Sequence, residues 1–427
     1  MRFSRPLLDA CTAAFAAVMP LHEPADAALS SFFRGRPKIG QRDRATIADS
    51  VYAALRRRRL LQGLVGTSSS PRRWVLATWT ILLGASLREI EPWLRGEEAR
   101  WLAAVKEAAA AEQPFGVQCE LPEWVIERLS RRFSASALLE LARGLARSAT
   151  LDLRVNTMKM TREAALTRLS DDGIPGSATR YSPEGVRLDA RPAINRHPLF
   201  LEGSVEVQDE GSQLLCHLVA PKRGEMVVDF CAGAGGKTLA LGALMRSTGR
   251  LYAFDISPKR LASLKPRLAR SGLSNVHPQR IEGARDPRVK RLAGKIDRVL
   301  VDAPCSGLGT LRRNPDMKWR QTPEDVGELA GKQASLLAAA ATLVKPGGRL
   351  VYATCSILEE ENRAVAEAFL AGNLEFGLLP AAKVLERERI DLNMGDYFEV
   401  WPHLHGTDGF FAAVFERGLD RRASASA

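Results

Sequence analysis

The sequence has no cysteine pair at metal-knuckle spacing, no long apolar run and a deficit of acidic side chains. Each shortage removes a class of protein. Its six cysteines (Cys11, Cys119, Cys216, Cys231, Cys305 and Cys355) are scattered over 427 residues without a CxxC pair. That leaves neither a zinc ligand set nor a disulfide framework, so no metal site is expected and a reducing cytoplasm fits best. No stretch is long and apolar enough to span a bilayer, so no membrane partner is expected. The opening "MRFSRPLLDACTAAFAAVMP" imitates a secretory signal only faintly, because Asp9 interrupts it, and it reads as the first helix of a domain. Repeats and long low-complexity segments are also missing. Only 49 acidic residues stand against 61 Lys and Arg, a net charge of +12. Such an excess suggests a polyanionic partner, against the plainer alternative of a solvated basic surface.

What is present falls into three textures. Residues 1–142 read as all-helical: Ile47, Val51, Leu55 and Leu60 recur at helical spacing. The run Arg56 to Arg59 reads more readily as a solvated helix end than as an RNA-contacting patch. "GTSSSPRRW" marks a turn, and "WVLATWTILLGASL" a buried helix with Trp74 and Trp79 in the core. Residues 143–215 suggest a small α+β module, with strands at "TLDLRVNTMKM" and "GVRLD" around a capped helix "TREAALTRLSDDG". Over 216–420 short apolar strands ("MVVDF", "RLYAFD", "RVLVD", "RLVYATC") alternate with helices, the pattern of an α/β, doubly wound parallel sheet. The tail "RRASASA", 421–427, is expected to be disordered.

The segment "VVDFCAGAGGKTLAL" is strand, glycine-rich turn and helix, suited to close approach of a negatively charged ligand. As a P-loop it has Gly236, Lys237 and Thr238 in place but Cys231 where the first glycine belongs. As a dinucleotide fingerprint it fails at Thr238. The third reading is S-adenosylmethionine, which wants an acidic residue at the end of the next strand, and Asp255 in "LYAFDIS" stands there.

Two further strand tips each end on a cysteine: Cys305 in "RVLVDAPCSGLGT" and Cys355 in "RLVYATCS". Pro304 restrains the first tip. A lone cysteine is usually a small core hydrophobe, but two at strand ends beside a cofactor loop point to chemistry. C5 of cytosine is too weak a nucleophile to take a methyl group until a thiolate adds to C6, and covalent catalysis of that kind needs a cysteine. An adjacent acid such as Asp302 could assist at N3.

These residues resemble the Nop/Sun family of RNA cytosine-5 methyltransferases, in its bacterial ribosomal (RsmB/Fmu-like) branch. The resemblance rests on "VQDEGSQL", "DFCAGAGGKT", "FDIS", "DAPCSGLGTLRRNPD" and "TCSILEEEN". It implies a Rossmann-like methyltransferase sheet in which the strands ending at Asp302 and Cys355 are adjacent, preceded by a NusB-like RNA-binding domain. It implies that Cys355 is the nucleophile and that Cys305 helps release the product. Cys231, Ala232, Gly233, Ala234, Gly235, Gly236 and Lys237 would hold S-adenosylmethionine with Asp255, and Asp302 would lie between cofactor and base. The expected partner is small-subunit ribosomal RNA, and the chain is expected to be a cytoplasmic monomer.

Two departures from the family pattern stand out. Gly233 and Ala234 replace its Ala-Pro. Its third acidic cofactor residue is missing from "RIEGARDP", where Ala284 takes the position and Asp286 stands two residues on. Arg312, Arg313 and Lys318 in "LRRNPDMKWR" would clamp phosphates or form a charged helix entry; Trp319 would sit in the core or stack on a base. A P-loop-like ATPase acting on RNA leaves both cysteines and Asp255 unexplained. A non-catalytic NusB-like RNA-binding protein leaves the cysteine pair unexplained.

Overall fold

The computed structural model describes residues 3–66 and 70–419. The tail at 421–427 and residues 67–69 of the Gly-Ser turn lie outside them. The chain forms two compact units, one of residues 1–148 with 310–321, the other of 149–309 with 322–427.

The first unit is helical. Its opening helix, Arg5–Val18, is capped by the Ser4 hydroxyl and buries Leu8, Cys11, Phe15 and Val18. Ile47, Val51 and Leu55 of helix Gln41–Arg56 and Leu60 of helix Arg58–Val65 are buried, as their spacing requires. The arginine run between these helices is an internal joint rather than a solvated end. Buried Glu120 accepts from the backbone N–H of Arg59 (2.9 Å) and Leu60 (3.1 Å), capping the second helix. The Arg59 guanidinium donates to Leu121 O at 2.6 Å and to Glu123 at 2.8 Å. Trp74 and Trp79 are core residues, and the Trp79 indole donates to Ser50 Oγ at 3.0 Å. The expected single helix around them widens at Thr78–Leu82 into a π-turn. There the Thr78 and Thr80 hydroxyls bond back to Trp74 O (2.7 Å) and Leu76 O (2.9 Å), competing with the backbone ladder.

Residues 310–321, whose sequence fits either a phosphate clamp or a charged helix entry, are built into this helical unit. Asp316 accepts from Ala25 N at 3.2 Å and caps helix Ala25–Arg34, whose own N-cap, Pro24, offers no side-chain acceptor. The Trp319 indole donates to Leu55 O (2.9 Å) and the Lys318 ammonium to Arg56 O (3.2 Å), closing the end of helix Gln41–Arg56. Arg312 and Lys318 are only 6% and 3% exposed, so neither is presented to solvent as a phosphate clamp.

Burial pushes Lys318 down to about 7, while the nearby Glu120 carboxylate opposes that shift. The unfolded chain, with a lysine near its ordinary value of about 10.4, binds the extra proton between pH 7 and that value. Stability of this unit should therefore rise with pH across that window, with the full penalty present below pH 7. Lys318→Met is expected to flatten the rise. Urea unfolding followed by tryptophan fluorescence checks it, since six of the seven tryptophans lie in this unit. An unchanged pH dependence would remove Lys318 as its source.

The second unit carries two sheets. The smaller has β1 (Leu151–Val155), β2 (Gly176–Ala178), β3 (Gly185–Leu188) and β4 (Val205–Val207) in the order β2-β3-β1-β4, all antiparallel. Thr161-capped helix Arg162–Asp171 packs Ala165 and Leu169 against Leu153, Val155 and Val186. The larger has β5 (Met226–Asp229), β6 (Arg250–Asp255), β7 (Val276–Arg280), β8 (Ile296–Asp302), β9 (Val344–Thr354), β10 (Phe376–Leu378), β11 (Phe398–Val400) and β12 (Phe410–Arg417). Its order is β10-β12-β9-β8-β5-β6-β7, with β11 paired to β12. β5 to β9 are parallel; β10 to β12 add antiparallel. The strand order reverses between β5 and β8, the switch point where open α/β sheets bind ligands beyond their carboxyl ends.

Candidate active site

Four parallel strands, β6, β5, β8 and β9, bring their carboxyl ends to one edge of the sheet. The turn after β5 leads into helix Gly236–Leu244. Gly235 has φ +84°, and a Cβ there would lie 2.1 Å from Leu264 Cδ1, so the turn requires glycine. Its carbonyls are fastened from behind: Arg267 donates to Ala234 O and Arg154 to Gly236 O, both at 2.7 Å. Asp255, at the tip of β6, accepts from Gly233 N (2.8 Å) and Ser257 N (2.7 Å). Ile256 beside it is 64% exposed, an apolar side chain left at the surface. Cys231 packs into the core cluster under the sheet and burial pushes its thiol up, so it contributes backbone to the loop.

Lys237, which a P-loop would aim at phosphates, forms an ion pair with Asp302 at 2.7 Å. Burial alone would lower Lys237, but the charge and hydrogen bond of Asp302 outweigh it and hold the ammonium above its ordinary value. Beneath them burial pushes Asp229 up to about 7, against a 2.7 Å hydrogen bond from the Thr238 hydroxyl.

The two cysteine tips are neighbours, because β8 and β9 pair in parallel with Asp302 opposite Ala353. Cys305 Sγ and Cys355 Sγ are 3.3 Å apart, and Cys355 N donates to Cys305 Sγ at 3.3 Å. The hydrogen bond with Cys355, then burial, then the charges of Cys355 and Glu361 hold the Cys305 thiol well above its ordinary value. Gly309 ends the tip: its N–H donates to Cys355 O at 2.8 Å, and a Cβ there would meet Gly409 O at 2.2 Å.

Asp286 closes its own turn, accepting from Glu282 N (2.9 Å) and Arg288 N (2.8 Å), and these bonds hold its carboxyl below the usual range. The sequence reading did not single out Ser306, Ser356, Gln333 and Glu361, which underlie the thiols. The visible signal was a Cys-Ser pair repeated at both tips.

This fold and strand-tip site are those of a Rossmann-like, S-adenosylmethionine-dependent methyltransferase. A family model described as 16S rRNA methyltransferase RsmB/F matches residues 216–416, and one for the ferredoxin-like domain of RsmF/B-like methyltransferases matches 121–195. The probable ribosomal RNA small subunit methyltransferase B of Synechocystis is 36% identical over 305 residues, 71% of this chain and 68% of that protein. The Bacillus subtilis protein with the same description is 34% identical over 292 residues, 68% of this chain and 65% of that one. The crystal structure of a protein designated PH0851 superposes with a TM-score of 0.77 at 26% identity, covering 98% of this chain and 100% of that one. The chain belongs to the RsmB/F family of 16S rRNA methyltransferases. That sets aside the ATPase and the non-catalytic RNA-binding protein. Among the described residues no helix is long and apolar enough to cross a membrane.

Proposed function

We propose that this protein methylates C5 of a cytosine in small-subunit ribosomal RNA through a covalent bond between Cys355 and C6. The observation that carries the reading is a pair of thiols 3.3 Å apart at adjacent strand tips beside the glycine-rich turn. Amino-group or ribose methylation needs no thiol.

The residues present fit S-adenosylmethionine. Asp255 offers carboxylate oxygens to a pair of ribose hydroxyls, Ile256 an apolar face for adenine, and residues 231–237 a backbone that a ligand can approach closely. Bound there, the cofactor supplies an electrophilic methyl group on a sulfonium. Cys355 adds to C6 as thiolate, the nucleophilic form of the side chain. The Asp302–Lys237 pair supplies the proton that N3 takes up as the thiolate adds and charge builds there. C5, now electron-rich, takes the methyl group. With Cys305 assisting, the C5 proton passes to water, N3 returns its proton to the Asp302–Lys237 pair, the C5–C6 double bond re-forms and the sulfur of Cys355 leaves as thiolate. Bisulfite mapping of 16S rRNA methylated in vitro tests this: a newly resistant cytosine is expected, and a methyl group found on N4 or a ribose oxygen would sink the reading.

Asp255→Ala removes the acceptor for two ligand hydroxyls. A charge-assisted bond of this kind contributes roughly 1.5–3 kcal/mol, so affinity for S-adenosylmethionine should fall about tenfold to a hundredfold by calorimetry, with RNA binding nearly unchanged. Normal cofactor affinity would end the assignment.

A further inference from the structure

Each cysteine is followed by a serine, and the two Cys-Ser pairs lie side by side: the Ser306 and Ser356 hydroxyls are 3.1 Å apart, nearly matching the sulfurs. Below them lies Glu361, fully buried. Its Oε1 accepts from Ser306 N at 2.7 Å and from Gln333 Nε2 at 3.0 Å. Its Oε2 accepts from the Ser306 hydroxyl at 2.5 Å and from the Ser356 hydroxyl. Gln333 also donates to Pro304 O at 2.9 Å and accepts from the Tyr352 hydroxyl of β9 at 3.1 Å. One carboxylate thus binds both tips directly and both again through Gln333. All four of these donors are uncharged, an expensive way to bury an ion, and the network repays it only by fixing geometry.

We propose that Glu361 is a positioning residue for the thiol pair: its carboxylate fastens the Cys305 tip to the Cys355 tip and sets the distance between the sulfurs. This rests on the cysteine mechanism proposed above. The arrangement also biases the pair. The negative charge of Glu361 disfavours a Cys305 thiolate. The same residue that spaces the thiols therefore helps decide which of them attacks.

The test separates geometry from chemistry by two readouts on the full chain. The first is closure of a Cys305–Cys355 disulfide by diamide, followed by peptide mapping. The two thiols lose two protons and two electrons, the S–S bond forms, and the diazene is reduced to a hydrazine. The second is steady-state methylation. Glu361→Ala, checked for normal S-adenosylmethionine binding, is expected to slow disulfide closure at least tenfold and lower kcat about a hundredfold, with KM for RNA within twofold. Glu361→Gln keeps an acceptor for Ser306 N and donors for hydroxyls that can turn to accept, but lacks the charge. It should restore closure and shift its pH profile downward. Ser306→Ala and Ser356→Ala, each losing one strut, should fall between and serve if Glu361→Ala does not fold. Wild-type closure rates in Glu361→Ala, or in both serine variants, would overturn the proposal. Slow closure with unchanged kcat would uphold the strut and instead refute the cysteine mechanism.

Discussion

Cys305→Ala should accumulate a protein–RNA complex that survives denaturing electrophoresis, and Cys355→Ala should form none. Both should lose turnover on the order of a thousandfold or more, as enzymes do on losing a member of a nucleophilic unit. The difference lies in where each stops. Without Cys355 no bond to C6 forms, so neither methylation nor adduct appears. Without Cys305 the base is attacked and methylated, but the C5 proton is not removed and the Cys355–C6 bond persists. The long-lived complex should therefore require S-adenosylmethionine, and the double variant should form none. The structure supports the division of labour through the fields around the pair. Cys305 is the thiol held well above its ordinary value, with its hydrogen bond to Cys355 the largest cause and Glu361 adding to it. An adduct from Cys355→Ala and none from Cys305→Ala would make Cys305 the nucleophile. Full activity in either single variant would make that cysteine a core residue.

The catalytic edge was largely legible because its signals are local. β8 carries the apolar run Val299–Val301 and ends on Asp302, two residues before Pro304, and β9 carries Leu350–Ala353 and ends on Thr354 beside Cys355, so each signal is complete within a dozen residues. That β8 and β9 are adjacent came from the resemblance, since spacing alone does not order strands. What escaped depends on partners distant in the chain. Asp316, Lys318 and Trp319 follow Cys305 closely in sequence, yet their partners are Ala25, Arg56 and Leu55, more than 250 residues away. Nothing near them marks them as helix caps. In "EEE" three glutamates look alike, and only burial separates Glu361 from exposed Glu359. β7, "VHPQR", was absent from the strand pattern because it is polar, contains proline and lies at the sheet edge.

Replacing Arg34, Arg36, Lys38 and Arg42 together by glutamine should sharply flatten the salt dependence of RNA binding. The net charge of +12 does not say where phosphates would lie, and Arg312, which follows Cys305, does not answer it, since it is buried. The segment "RGRPKIGQR", residues 34–42, does offer a place: four cations within one short stretch, all exposed. It is also held in shape. Arg44 donates to Ile39 O at 2.8 Å, and Arg36 lies over the Phe32 ring at 4.2 Å. Cations on a fixed loop lose little freedom on meeting a backbone. If each neutralises one phosphate of single-stranded RNA, the log–log salt slope should fall by roughly 0.7 per contact, about 3 in all. At physiological salt that corresponds to a loss on the order of a hundredfold in affinity, read by titration across a salt series, with S-adenosylmethionine affinity unmoved. Because the four side chains are exposed, the variant should keep its fold. An unchanged slope would mean that this loop is only solvated and that the electrostatic footprint lies on another face.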